Sequence, residues 1–262
     1  MSESFQQTHE ESRAQFSKTA AAYATSQGHA KGHDLDILRR RAGDLKGKKA
    51  LDIATGGGHT ALALAGLGAE VTATDLTPEM LAVAREFITG QGVSMDFVEA
   101  AAEALPFSDR SFDLVSCRIA PHHFADPVRF LQEVWRVLKP GGQFLLIDNI
   151  SPEDESLARV VNHIEKERDQ SHVQAYTASW LIDKSSEQGF DLQYFERWRR
   201  NKKFRRWTSR SGMTDEGIAK LESWIRDLDS GAQLYLRSRF EGSELIDLDH
   251  EAALFDLHKP QI

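Results

Sequence analysis

The 262-residue chain contains a single cysteine, Cys117, only four tyrosines, and no apolar stretch that approaches membrane-spanning length. One cysteine excludes an internal disulfide and suits a reducing compartment. Without about 20 consecutive apolar residues there is no transmembrane helix. The polar opening Met1-Ser-Glu-Ser-Phe-Gln-Gln lacks the charged-then-apolar order of a signal peptide, so a cytoplasmic location is expected. Positive charge is in deficit too, and a formal net charge of −8 argues against nucleic acid as the main partner. Internal repeats and low-complexity tracts are absent. What remains, 40% hydrophobic and 27% charged residues, is enough for one full α/β core.

Residues 50–58 read Ala-Leu-Asp-Ile-Ala-Thr-Gly-Gly-Gly, and Val71-Thr-Ala-Thr-Asp75 ends on a second acid. The pattern predicts a strand, a bare backbone turn and a second strand. Glycine is needed where the chain turns sharply against a ligand, because a Cβ there would clash or forbid the dihedrals. An acid closing the next strand can accept hydrogen bonds from both hydroxyls of a ribose. A nucleoside pocket follows.

From residue 49 onward, strand patterns near 49–54, 70–75, 94–98, 112–117 and 142–148 alternate with helix patterns near 59–67, 78–90 and 126–138. Alternation of this kind predicts an α/β fold with a doubly wound, mostly parallel sheet and ligands at the carboxyl ends of its strands. Thr77-Pro78-Glu79 supplies a helix N-cap followed by proline at the first helical position, which holds Asp75 at the sheet rim. Residues 10–42 read as helices with Phe16, Ala20 and Tyr23 on one face. Segment 151–243 is less regular: Leu157, Val160, Val161 and Ile164 give a helical face, 180–188 and 215–228 read as helices, and 192–198 as a strand. Ala252 to Leu257 reads as a final strand.

Gly56-x-Gly58-x-x-Ala61 with Asp75 also fits the relaxed fingerprint for NAD. Three features separate the readings. Asp52 lies inside the first strand, where an NAD strand is usually wholly apolar. Ala102-Glu-Ala-Leu-Pro-Phe107 is followed by Ser111-Phe-Asp-Leu-Val-Ser116. Val137-Leu-Lys-Pro-Gly-Gly142 runs into Gln143-Phe-Leu-Leu-Ile147. In this order the motifs resemble the class I S-adenosylmethionine (SAM) methyltransferases, in particular the ubiquinone/menaquinone C-methyltransferase-like branch, firmly over residues 45–150. The resemblance implies a seven-stranded Rossmann-like sheet whose last strand enters antiparallel between its neighbours. It also implies SAM as cofactor, S-adenosylhomocysteine as product, a helical lid over residues 1–44 and a methyltransferase domain over 45–262. In that domain, helical insertions at about 151–243, after the fifth strand, would cover the substrate.

Carried onto this chain, the resemblance makes Asp52 the carboxylate that orients the glycine loop and, often through water, the methionine amino group. Ala54, Gly56, Gly57 and Gly58 would let that moiety lie against the backbone, although the family usually has glycine at position 54. Asp75 would bind the ribose, and Leu76 and Met80 would flank the adenine, though a methionine one turn into a helix is more often core. Many relatives carry an aspartate where this chain has Ala101, so adenine recognition would lean on the backbone of Ala101 and Ala102, with Glu103 and Leu105 nearby. Cys117 and Arg118 would sit at the sulfonium end. In relatives the N-terminal segment folds over the cofactor, which would put Tyr23, His29 and Gly32 above it; packing within a helix accounts for Phe16 and Tyr23 equally well.

Pro121-His-His-Phe124 follows the fourth strand. Adjacent histidines rarely reach one metal ion together, and no cysteine or carboxylate cluster joins them, so no metal is expected. A histidine takes a proton near neutral pH, which makes His122 or His123 the candidate general base. Methyl transfer needs chiefly alignment and exclusion of water, and a base only when the acceptor is not already nucleophilic. The stretch Arg197-Trp-Arg-Arg-Asn-Lys-Lys-Phe-Arg-Arg-Trp-Thr-Ser-Arg210 interleaves cations and aromatics as single-strand nucleic acid binders do. A strand with Trp198, Phe204 and Trp207 buried and its charges in water gives the same letters, and an anionic small substrate or a subunit contact, as in a homodimer, lies between.

The leading reading is methyl transfer from SAM to a small-molecule acceptor. An NAD-dependent oxidoreductase is the alternative, but it lacks a Tyr-x-x-x-Lys pair: Tyr23, Tyr176, Tyr194 and Tyr235 are followed four places on by Gln27, Trp180, Trp198 and Arg239. A catalytically silent SAM-binding module is the third.

Overall fold

In the computed structural model, residues 3–24 and 32–261 are described. Five strands follow the parallel alternation: β1 (Lys49–Ile53), β2 (Glu70–Asp75), β3 (Asp96–Glu99), β4 (Phe112–Arg118) and β5 (Leu138–Ile150). Three more close the sheet: β6 (Asp191–Lys203), the three-residue β7 (Arg239–Glu241) and β8 (Glu244–His258). Seven lie in the order β3-β2-β1-β4-β5-β8-β6, and β7 adds an eighth by pairing with β8 alone. β8 enters between β5 and β6, antiparallel to both, as the resemblance implied.

The strands are apolar on both faces because helices cover both. On one face Leu51, Ile53, Val115, Phe144 and Leu146 pack with Phe130, Leu131 and Val134 of helix α5 (Pro127–Val137). On the other, Ala50, Ala73, Leu114, Leu145 and Ile147 meet α2 (His33–Ala42), α3 (His59–Gly66) and α4 (Pro78–Gly90). Truncating Phe144 or Leu146 to alanine would cost about 2–5 kcal/mol. Ahead of α2 runs α1 (Glu3–Ala24). Both precede β1, but α2 buries Ile37, Leu38 and Ala42 in the main core, which separates it from α1.

Past β5 come α6 (Glu155–Arg168) and α7 (Ala178–Glu187), and between β6 and β8 come α8 (Phe204–Ser209), α9 (Asp215–Arg226) and α10 (Ser230–Leu236). Val161, Ile164, Phe204, Trp207, Ile218 and Leu221 form a third apolar cluster against Leu245 and Leu248 of β8. β8 therefore begins well before Ala252, where its apolar pattern starts. Its first half is polar because Asp247, Asp249 and Glu251 stand opposite Lys203, Asn201 and Arg199 of β6. β5 ends opposite Glu251, whereas β6 and β8 stay paired for four further residues, Arg200 to Lys203, beyond the carboxyl end of β5.

Candidate active site

The turn after β1 is built around two buried acids. Asp52, 1% exposed, accepts from the hydroxyls of Thr55 (2.7 Å) and Ser116 (2.6 Å). Burial dominates those bonds and pushes its carboxyl up to about 6. Asp75 accepts from the backbone N–H of Gly56 at 2.9 Å with one oxygen and from Thr77 N–H at 3.0 Å with the other. It thereby ties the turn to the start of α4. Burial holds its carboxyl above the ordinary aspartate value. Ala54 has φ +53° and Gly56 φ +54°, left-handed values that explain why glycine suits both places. Gly58, at φ +82°, has another duty: a Cβ there would come within 2.8 Å of Ile88 Cδ1, so it permits α3 to pack on α4.

One cavity of about 640 Å³, in the range of small-molecule sites, opens at the carboxyl ends of the strands. Ala54, Gly56, Gly57, Asp75, Leu76 and Met80 line one end, with Ala101, Ala102 and Glu103 beside them. Arg118, His122 and His123 line the middle. Asp52 lies beneath the turn and does not reach the cavity wall. Cys117 does not reach it either. Successive side chains of a strand point to opposite faces, so Arg118 meets the cavity and Cys117 enters the apolar layer, where burial raises its thiol well above the usual range. Arg118 is held rather than free: Nη1 donates to Asp34 at 2.7 Å and Nε to the Thr60 hydroxyl at 2.8 Å. Next to it, Ile119 has φ +58°, a strained value for a β-branched residue, at the cavity wall.

The two histidines are distinct. His122 is buried, with Nδ1 2.6 Å from Asp148 Oδ1 and its backbone N–H donating to Asp148 Oδ2 at 3.0 Å. Burial opposes the imidazolium, but Asp148 outweighs it and lifts the pKa above that of an ordinary histidine. His123 has Nδ1 3.1 Å from Ser171 O, and burial together with His122 lowers it to about 4. Phe16 of α1 meets the His123 ring edge-on at 5.0 Å. His172, the third ring of the group, is lowered to about 3, first by burial and then by His122. Among the described residues no set of three or more His, Cys, Asp or Glu side chains is placed to hold a metal ion.

From α1, His9, Ser12 and Phe16 reach the cavity, and His9 Nε2 lies 3.3 Å from Glu103, which also accepts from Ala125 N–H at 2.9 Å. The Tyr23 side chain and His29 lie outside the described residues; Gly32 is the extended N-cap of α2. The stretch 197–210 is strand to Lys203 and then α8. Phe204 and Trp207 are buried and Trp198 half-buried, but its charges are not all in water: Arg200 and Lys202 face the cavity. Asp148, Asp34 and Asn149 were missed by sequence reasoning. Asp148 carried one signal, an acid within the apolar run of β5, like Asp52 in β1.

The chain matches a family model described as a methyltransferase domain over residues 51–146. It is 40% identical over 199 residues to the methyltransferase YcgJ of Bacillus subtilis (strain 168), covering 75% of this chain and 78% of the relative. The chain belongs to the class I SAM-dependent methyltransferases. The solved structure of the same Bacillus subtilis methyltransferase superposes with a TM-score of 0.84 at 32% identity, covering 87% of this methyltransferase and 98% of that chain. A demethylmenaquinone methyltransferase of Thermus thermophilus is 45% identical over 116 residues, and this methyltransferase spans 53% of its length. These matches place the enzyme in the branch resembling the ubiquinone/menaquinone C-methyltransferases and favour neither the oxidoreductase nor the silent module. Among the described residues no helix is long and apolar enough to cross a membrane.

Proposed function

We propose that this methyltransferase moves the methyl group of SAM to a small-molecule acceptor by in-line displacement within the one cavity. The observation that carries the reading is the joint placement, on that cavity, of the Asp75-anchored glycine turn and of His122, backed from behind by Asp148. When bound, SAM supplies an electrophilic methyl on a sulfonium and leaves as S-adenosylhomocysteine.

The residues fit that cofactor. Asp75 lines the cavity with its two oxygens held by the Gly56 and Thr77 N–H groups, and a carboxylate, with about four acceptor sites, can also take a ribose hydroxyl. Gly56 carries no side chain into the wall beside Met80, and Leu76, Ala101, Ala102 and Glu103 form the adenine side. Asp52 keeps the turn in shape from beneath. In the middle of the cavity, His122 takes the acceptor's proton on Nε2 while Asp148 holds Nδ1, and His123 stays neutral as a wall with Phe16. α1 covers the cavity as the lid, and residues 151–243 complete the acceptor end through Arg168, Asp169 and β6, which excludes water from the transfer.

The test is an acceptor screen that reads production of S-adenosylhomocysteine. Turnover on a small molecule supports the proposal; SAM binding with turnover only on a macromolecule would overturn its acceptor half.

A further inference from the structure

The part of the cavity most distant from the glycine turn in chemistry is its basic end. We propose that the acceptor is a small organic oxyanion, a carboxylate or a phosphate ester, and that Arg200 and Lys202, on the part of β6 that extends past β5, bind its anionic group. This rests on the methyl-transfer reading of the same cavity.

Four residues of β6 project beyond the carboxyl end of β5, over the cavity. Alternation divides the strand's polar side chains into two sets. Arg199, Asn201 and Lys203 each stand opposite an acid of β8, Glu251, Asp249 and Asp247, so that Asn201 and Lys203, although they also border the cavity, are already paired. These contacts are made, at 3.4 Å for Arg199, 3.0 Å for Asn201 and 2.7 Å for Lys203. Arg200 and Lys202 form the other set, opposite His250 and Leu248, where β8 offers no carboxylate. Asp34 is the acid nearest Arg200, 3.9 Å away, and its closer partner is Arg118 at 2.7 Å. One carboxylate thus serves two guanidinium groups.

Arg200 Nη1 is buried and has no hydrogen-bond partner. Lys202 makes no ion pair among the described residues. Burial, reinforced by Arg200, Arg168 and Arg210 and opposed by Glu165, pulls its ammonium down to about 7. Arg206 and Arg210 of α8 and its following turn line the same end, as does Arg168, stacked 4.7 Å from the Trp207 ring. Asp169 is the opposing charge on that wall, and it is engaged by Ser171 through backbone N–H and hydroxyl.

A neutral acceptor would leave this desolvated charge unmatched, which is costly. An oxyanion matches it: the guanidinium fork suits the geometry of a carboxylate or phosphate, and charge-assisted hydrogen bonds are the stronger kind. Asn149 Oδ1, buried in the same cavity without a partner, offers a place for an O–H or N–H on the same molecule. The cavity volume, about 640 Å³, is that of a small-molecule site.

The test is calorimetry on the full-length protein loaded with S-adenosylhomocysteine, so that the cofactor's own carboxylate already occupies its place. Inorganic phosphate and benzoate are titrated in turn, with chloride at matched ionic strength as the control. Saturable binding of at least one, weakened at least about tenfold by Lys202→Met and by Arg200→Gln, is expected, and the anion that binds tells phosphate from carboxylate. Lys202→Met breaks no ion pair, so it carries the test should Arg200→Gln fail to fold. Absence of binding by both anions, or binding by Lys202→Met equal to wild type, overturns the proposal. If S-adenosylhomocysteine itself does not bind, the cofactor reading fails, and the same titrations on unloaded protein decide this one by the same criteria.

Discussion

His122 Nδ1 lies 2.6 Å from one oxygen of Asp148, and the His122 backbone N–H donates to the other at 3.0 Å. One buried acid near the end of β5 thus fixes both the ring and the main chain of the residue proposed to face the acceptor. Its charge assigns the ring proton to Nδ1 and leaves Nε2 as the proposed base. His123 and His172, lowered to about 4 and 3, stay neutral where His122 titrates.

The pair sets the pH dependence. His122 is raised, so its base form accumulates only above the ordinary histidine value, and kcat/KM should rise with pH through that raised value. Asp148→Asn removes the raising charge, so the acidic limb should move to lower pH. His122→Asn should reduce turnover about 10²–10⁴-fold with SAM affinity kept. The readout is the pH profile of S-adenosylhomocysteine production; an unmoved limb in folded Asp148→Asn would remove Asp148 from this role.

Asp52 makes a prediction about stability. Its folded pKa of about 6 lies above the unfolded value of 3.8, so the folded state holds more protons between them. Stability therefore falls as pH rises from about 4 to 6, by about 3 kcal/mol for this group, and the penalty is constant above that range. Asp52→Asn should lose that slope. Denaturant unfolding of both proteins without ligand at pH 4 and pH 7 checks it; equal slopes in the two proteins would show that Asp52 is ionised at little cost.

Much of the glycine-turn end of the cavity was legible in the sequence because one local pattern encodes it: a turn needing left-handed dihedrals at Ala54 and Gly56, and an acid placed at a strand end by Pro78. The rest of the cavity was not. Asp148 and His122 are 26 positions apart, and nothing in the letters joins an acid in β5 to a histidine after β4. Likewise the run 197–203 does not say which cations stand opposite Asp247 and Glu251 and which stand opposite no acid until the register with β8 is known. Cys117 and Arg118 were read together as site residues, although the alternation of a strand lets only one of two neighbours face the cavity.

Removal of residues 1–24 should reduce turnover far more than stability. Among the described residues α1 buries few apolar side chains, Ala20 being one, and touches its neighbours through polar pairs such as Arg13 with Glu99, half-exposed and 3.1 Å apart, and Ser17 with Glu79. Pairs of that kind contribute about 0–1 kcal/mol each. Phe16 and Ser12, by contrast, line the cavity. A melting temperature that drops by more than about 10 °C would make α1 part of the core rather than a cover.

The central claim is that the glycine turn and Asp75 hold SAM, and calorimetric titration of wild type and Asp75→Ala with S-adenosylhomocysteine and NAD tests it most directly. Wild type should bind S-adenosylhomocysteine and not NAD. Asp75→Ala should bind at least about tenfold more weakly, since charge-assisted hydrogen bonds of about 1.5–3 kcal/mol each are lost. It should also lose some stability, because the Gly56 and Thr77 amides lose their acceptor; circular dichroism shows that it is folded. A folded Asp75→Ala that binds as tightly as wild type, or a wild type that takes NAD instead, would contradict the account.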